Sequence, residues 1–273
     1  MGKTTLIRSP LRYPGGKSRA LKQILPLVPD YSEFREPFLG GGSVLLRLQQ
    51  LFPDRLHWGN DLYPALFAFW SETQRNVENV LQLVEKWKSA HPDGRELHRF
   101  LTTQSFRGEA LAAAFFILNR LTFSGTAESG GYSKQAFEKR FTPSSLERVR
   151  RVAPLLQDVK LTNTDFAEVI EAPGTAVFLF LDPPYFGNAT SALYGKNGHL
   201  HKTFDHERLA TLLRRTPHRW LLTYDDVDGV RELYDFAYQQ SWDLTYGMRN
   251  VNGRGDQRGR ELFISNYSLP GAR

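Results

Sequence analysis

The chain of 273 residues is 41% apolar and 23% charged and has no cysteine. This excludes a disordered or collagen-like chain, a coiled coil, a disulfide scaffold, a Cys-ligated metal site and a thiol nucleophile. Lys plus Arg outnumber Asp plus Glu by 35 to 29, a net charge of +6, and Arg outnumbers Lys, which suits bidentate contacts to phosphate or guanine.

In chain order, Phe34 to Pro37 reads as a short strand ending in the loop Phe38-Leu39-Gly40-Gly41-Gly42. A helix is expected from Ser43, because Val44, Leu45, Leu48 and Leu51 fall at helical spacing. Leu56-His57-Trp58-Gly59 is a second short strand ending at Asn60-Asp61, and Tyr63 to Ala114 reads as helical and aromatic. Residues 119 to 142 are rich in Gly, Ser and Thr without a period; a loop that long in a compact domain is usually functional. Val159-Lys160-Leu161-Thr162 is a third strand. Ala176 to Leu181 is continuously apolar, as buried central strands are, and it stops abruptly at Asp182-Pro183-Pro184-Tyr185. A helix around Glu207 to Arg215, a strand Trp220 to Thr223, a helix around Val227 to Phe236, and strands near Leu244-Tyr246 and Leu262-Ile264 complete the pattern. Strands alternating with helices predict an α/β fold with a doubly wound sheet, interrupted by a mostly helical lobe. The length fits one large domain or one domain with such an insertion.

Two apparent phosphate-loop signals, Gly2-Lys3-Thr4-Thr5 and Gly16-Lys17-Ser18, lack the upstream Gly of a P-loop, since position 11 is Leu. The Gly40–Gly42 loop sits between a strand and a helix, where three N–H groups can face a ligand, although such turns also occur for purely geometric reasons. Asp61 lies at the end of the next strand, where an acid can bind ribose hydroxyls. The loop is not Gly-x-Gly-x-x-Gly, so a nucleoside ligand without pyrophosphate is expected. At the carboxyl end of a central strand, Asp182 to Tyr185 would lie in the ligand crevice of an open α/β sheet. Its two prolines remove N–H donors and leave acceptors, beside an aromatic face. That combination suits a planar base with an exocyclic amine.

Tyr13-Pro14-Gly15-Gly16-Lys17, Glu36-Pro37-Phe38-Leu39-Gly40-Gly41-Gly42, Asp61 and Asp182-Pro183-Pro184-Tyr185 follow in an order that resembles the D12 class of N6-adenine DNA methyltransferases, the Dam-like group. The resemblance implies a Rossmann-like doubly wound methyltransferase sheet. Residues 1–62 and 152–273 would form the catalytic domain and 63–151 an inserted, mostly helical target-recognition lobe. The implied cofactor is S-adenosylmethionine, leaving as S-adenosylhomocysteine. Its methionine portion would lie near Gly40 and Gly42, with Pro37 and Phe38 beside it, and its ribose on Asp61. Tyr13 and Lys17 match the family's N-terminal cofactor segment. Asp165 resembles the acid that binds the cofactor's adenine amine, although an Asp before an apolar helix is also an expected N-cap. Asp182 would border the cofactor and, with the Pro183 carbonyl, accept from N6 of an adenine flipped out of the duplex. Pro184 and Tyr185 complete the catalytic motif.

Asn119-Arg120-Leu121-Thr122-Phe123-Ser124-Gly125 looks like the family's recognition segment. Arg120, Lys134, Lys139 and Arg140 are expected on DNA phosphates, Phe123 as a wedge beside the flipped base, and Ser124, Thr126 and Glu128 as base readers. Family members that read GATC carry a basic residue near the position of Glu128 and often Asn at that of Ser124, so the resemblance leaves the target sequence open. Basic residues from Lys3 to Lys22 precede the first acid, Asp30, and further basic stretches run through Lys134 to Arg151 and Arg249 to Arg260. His199, His201 and His206 have no matching acidic pair and read as loop surface or phosphate contacts; no metal is expected. Double-stranded DNA is the expected partner, with no obligatory protein partner and a monomeric state. No apolar run approaches the ~18 residues of a membrane span and Met1 to Pro10 lack the apolar core of a signal peptide, so a cytoplasmic location is expected. Two alternatives stay open: the same chemistry on cytosine N4 or RNA, and a non-catalytic DNA-binding relative.

Overall fold

The computed structural model describes residues 6–13, 15–122, 130–186, 204–245 and 258–270. Its elements are α1 (Leu21–Ile24), β1 (Glu33–Glu36), α2 (Ser43–Leu51), β2 (Leu56–Asn60), α3 (Pro64–Ala90), α4 (Gly94–Thr103), α5 (Gly108–Leu121), α6 (Lys134–Arg140), α7 (Pro143–Val152), β3 (Val159–Thr162), α8 (Phe166–Glu171), β4 (Val177–Leu181), α9 (His206–Arg215), β5 (Arg219–Asp225), α10 (Asp228–Leu233), β6 (Tyr238–Thr245) and β7 (Arg258–Ser265). The strands form one sheet in the order β3-β2-β1-β4-β5-β7-β6. The first five are parallel, and β7 runs antiparallel to both its neighbours. The doubly wound α/β sheet expected from the sequence is present.

The reason lies in β4, whose five residues are all buried. Alternation turns Phe178 and Phe180 toward Phe34 and Leu221 on one face, in a cluster with Leu45 of α2, Phe69 of α3, Phe116 of α5 and Val149 of α7. Val177, Leu179 and Leu181 turn to the other face, with Trp220 and Leu222 of β5, Ile170 of α8, Leu213 of α9 and Val230 of α10. A strand apolar on both faces has to be covered by helices on both sides. Helices of the segment 63–151 therefore share the sheet's core. Because β1, β2 and β3 run outward on one side and β4 and β5 on the other, the strand order reverses between β1 and β4. A crevice at the carboxyl ends of those two strands is the geometric result.

Several expectations need correction. The helical stretch from Tyr63 is three helices, and α3 bends at Asn76, whose backbone leaves helical geometry. Residues 119 to 142 are not one aperiodic loop. Asn119 to Leu121 end α5, Thr122 bridges Tyr132, and Lys134–Arg140 form α6, with the Ser133 hydroxyl accepting from the Ala136 N–H. The short α6 buries Ala136 alone, too little apolar pattern to betray a helix. Helix α7 gives little sequence signal because its Arg residues mask Leu146, Val149 and Val152 on the buried side. Strand β6 begins six residues before the expected start, as an edge strand with Trp242 stacked on Phe263 of β7 at 4.5 Å.

Candidate active site

The two strongest sequence motifs meet at the reversal point. Glu36-Pro37-Phe38 leaves β1 and Asp182 leaves β4, and both line one cleft of about 210 Å³. Tyr13, Lys17, Gly40, Gly42, Asp61, Asp165 and Pro184 line it as well.

The glycine loop is fixed by what packs on it. Gly40 and Gly42 have φ of +48° and +64°, and a Cβ on Gly40 would come within 2.8 Å of the Tyr13 ring. The Trp70 indole N–H donates to the Gly40 carbonyl at 3.0 Å. The expectation of three available N–H groups is corrected here. The Gly40 N–H donates to Asp61 Oδ2 at 2.8 Å and the Gly42 N–H to the Leu39 carbonyl at 2.7 Å, so of the three only Gly41 makes no such bond among the described residues. Asp61 Oδ1 accepts from the Tyr63 N–H at 3.0 Å. Burial holds this carboxyl up at about 6, against the pull of those two N–H groups. Below the loop, Glu36 is buried and accepts from the Leu45 N–H at 2.9 Å. Its pKa is driven well above the usual carboxylate range, by burial first and then by Asp182 and Asp61.

Lys17 enters from the N-terminal segment and is 4% exposed. Its ammonium donates to Asp182 Oδ1 at 2.6 Å, to the Tyr185 hydroxyl at 2.9 Å and to the Gly15 carbonyl at 3.1 Å, which accounts for its three donors. The segment is anchored in turn by Asn119, whose side chain accepts from the Arg12 N–H at 3.1 Å and donates to the Arg12 carbonyl at 2.7 Å. Asp182 itself keeps 19% side-chain exposure toward the cleft. Pro183 is buried, and Pro184 and Tyr185 are half-buried.

The far end of the cleft is aromatic. Phe38, Phe166 and Phe204 pack with ring centroids 5.5 Å apart. Asp165 stands beside them: as an N-cap its Oδ1 accepts from the Ala167 N–H of α8 at 2.9 Å, and it also lines the cleft. Arg208 from α9 binds it with two hydrogen bonds, at 3.0 and 2.8 Å. Partial burial pushes the Asp165 pKa up, but the bonds from Arg208 and Ala167 bring it below the ordinary value. Sequence reasoning missed Phe166, Phe204 and Arg208. Phe166 adjoins Asp165 and could have been found; Phe204 and Arg208 gave no local signal.

The recognition residues are less compact. Phe123, Ser124, Thr126 and Glu128 lie outside the described residues, as do His199 and His201. Lys134 and Lys139 are exposed on α6 and Arg140 is half-buried. Arg120 is not the surface cation expected: it is 2% exposed, and its Nε and one terminal nitrogen are buried without a partner among the described residues. Burial and the charges of Arg148, Arg12 and Arg140 depress it to about 9, while burial and Arg140 lower Arg12 to about 10. No described carboxylate pairs with any of these four arginines.

Comparison with known proteins then decides the family. A model of the D12 class N6 adenine-specific DNA methyltransferases matches residues 13–248. The chain belongs to this family. It is similar to the DNA N-6-adenine-methyltransferase of Escherichia phage P1, at 28% identity over 92% of this chain. It spans about a third (34%) of that protein's length. It is 24% identical to the Type II methyltransferase M.CviBI of Paramecium bursaria Chlorella virus NC1A, over 94% of this chain and 98% of the relative. It is also 24% identical to a DNA adenine methylase of Vibrio cholerae, over 83% of this chain and 84% of the relative. Carboxylates, a glycine loop and an aromatic wall thus share one cleft. Among the described residues, no helix is long and apolar enough to cross a membrane.

Proposed function

We propose that the enzyme transfers a methyl group from S-adenosylmethionine to N6 of an adenine flipped out of duplex DNA. One observation carries this reading: Asp182 opens into the same cleft as the glycine loop, Asp61 and the aromatic end. The chemistry of the lining fits the cofactor from end to end. Phe38, Phe166 and Phe204 offer an apolar wall for a purine, Asp165 an acceptor for its amine and Asp61 an acceptor for ribose hydroxyls. The Gly40–Gly42 loop admits close approach that side chains would block. When bound, S-adenosylmethionine supplies an electrophilic methyl group.

The chain's own residues do the rest. The target base has to leave the duplex to be reached, and Tyr185 offers a face on which it stacks. The Asp182 carboxylate and the Pro183 carbonyl accept from the N6 amine, turning its lone pair out of ring conjugation and toward the methyl group. Prolines at 183 and 184 keep competing N–H donors out of the site. Helices of 63–151 serve as the recognition lobe, with Arg12, Arg140 and Arg148 on backbone phosphate and the buried Arg120 adding its charge beneath them. A cluster of cations with no acid among the described residues raises the free energy of the free protein until a polyanion approaches.

The test is transfer of labelled methyl from S-adenosylmethionine to duplex DNA, followed by digestion to nucleosides. Label in N6-methyldeoxyadenosine is expected. Label in N4-methyldeoxycytidine, or in RNA alone, overturns the reading.

A further inference from the structure

Within β5 the stretch Trp220-Leu221-Leu222-Thr223-Tyr224 is buried throughout, and Thr223 carries its one aliphatic hydroxyl. Thr223 is 0% exposed, and a buried hydroxyl has to find a partner to be tolerated. Parallel pairing of Leu181 with Leu222 brings Thr223 level with Asp182 across the β4–β5 junction. Its Oγ1 donates to Asp182 Oδ1 at 2.8 Å; the Leu181 carbonyl is the more distant acceptor at 3.4 Å. The same Oδ1 accepts from the Lys17 ammonium at 2.6 Å. Two donors from two different elements thus converge on one oxygen of the carboxylate.

We propose that Thr223 is a positioning residue for methyl transfer: with Lys17 it occupies Oδ1 of Asp182, fixing the carboxylate so that Oδ2 is the oxygen left to accept from the target amine. This rests on the function proposed above. A carboxylate held by one lysine alone can pivot about that contact. A second donor from the neighbouring strand fixes the plane of the group, and the direction in which Oδ2 points then follows from the sheet. Thr223 touches neither cofactor nor base, so it acts only through Asp182.

Thr223→Val keeps the volume and removes the hydroxyl, and Thr223→Ser restores it. In single-turnover methyl transfer, Thr223→Val should be about tenfold slower, the size expected for loss of one hydrogen bond to a charged acceptor. Its cofactor affinity and KM for DNA should stay within about twofold of the parent, because ground-state contacts are untouched. Thr223→Ser should recover most of the rate. A Thr223→Val enzyme of parental rate overturns the proposal. So does a loss of cofactor affinity as large as the loss of rate, or a serine variant no faster than valine. Asp182→Ala assayed alongside separates the two levels of argument: if it transfers methyl normally, the site reading fails. If it is inactive while Thr223→Val is unimpaired, only the role of Thr223 fails.

Discussion

The cleft floor and the arginine cluster around the buried Arg120 both concentrate ionisable groups, and they are built in opposite ways. On the floor, Asp182, Asp61 and Glu36 each receive hydrogen bonds from fixed donors: Lys17 and Thr223, the Gly40 and Tyr63 N–H groups, and the Leu45 N–H. Around Arg120, the charges of Arg12, Arg140 and Arg148 bear on one guanidinium without a described carboxylate, and buried guanidinium nitrogens of Arg120 and Arg12 have no partner among the described residues. A satisfied polar network holds geometry before any ligand arrives. Uncompensated cations instead raise the free energy of the free protein and release it when phosphate binds. The floor is set in advance for chemistry, and the arginine side is set for a polyanion.

Substitutions at the two places should therefore behave differently. The largest effect is expected at Asp182: Asp182→Ala should slow methyl transfer by at least ~3 kcal/mol of barrier. It also leaves the buried Lys17 ammonium and Thr223 hydroxyl without their shared partner, so its melting temperature should fall while a folded fraction still binds cofactor. Next is Asp61, where Asp61→Ala should weaken cofactor binding by about 1.5–3 kcal/mol for the lost charged acceptor, as measured by calorimetry. The same group gives a pH test. Burial places its carboxyl at about 6, so it takes up a proton as pH falls through that value and loses an acceptor. Cofactor affinity should decline below about pH 6 and be full at neutral pH, and Asp61→Ala should abolish this dependence.

On the other side, Arg120→Met should do what no floor mutation does, by raising the melting temperature while weakening DNA binding. Replacing an unpaired buried cation with an apolar side chain can stabilise by about 1–4 kcal/mol, and the slope of log Kd against log salt should flatten by about 1. A variant that is less stable and binds DNA as before would erase the contrast. The smallest effect belongs to Arg208→Ala, since its pair with Asp165 is solvent-accessible. Stability should change by less than about 1 kcal/mol in denaturant titration.

How much of this could be read in advance follows from where each signal lives. Strand β4 and the Asp182–Tyr185 motif are local: a run apolar on both faces followed by two prolines can hardly be anything but a central strand entering a crevice. Asp61 was legible for the same reason, as an acid ending a short strand. Thr223, Phe204 and Arg208 reach the site from elements distant in sequence, and their chemistry exists only after the sheet assembles. The Gly40–Gly42 loop was legible in position but not in bonding, because the partners of its N–H groups are set by tertiary contacts with Asp61. Arg120 looked like surface because arginine usually is surface; its burial comes with α5, which is buried on all sides from Ala112 to Leu121.

The most direct test of the central claim, that Asp182 directs methyl transfer to adenine N6, is long-read sequencing of DNA from cells expressing the enzyme and from cells expressing Asp182→Ala. N6-methyladenine at a defined sequence is expected with the parent and unmodified DNA with the variant. N4-methylcytosine, or the same adenine marks from both proteins, would contradict it.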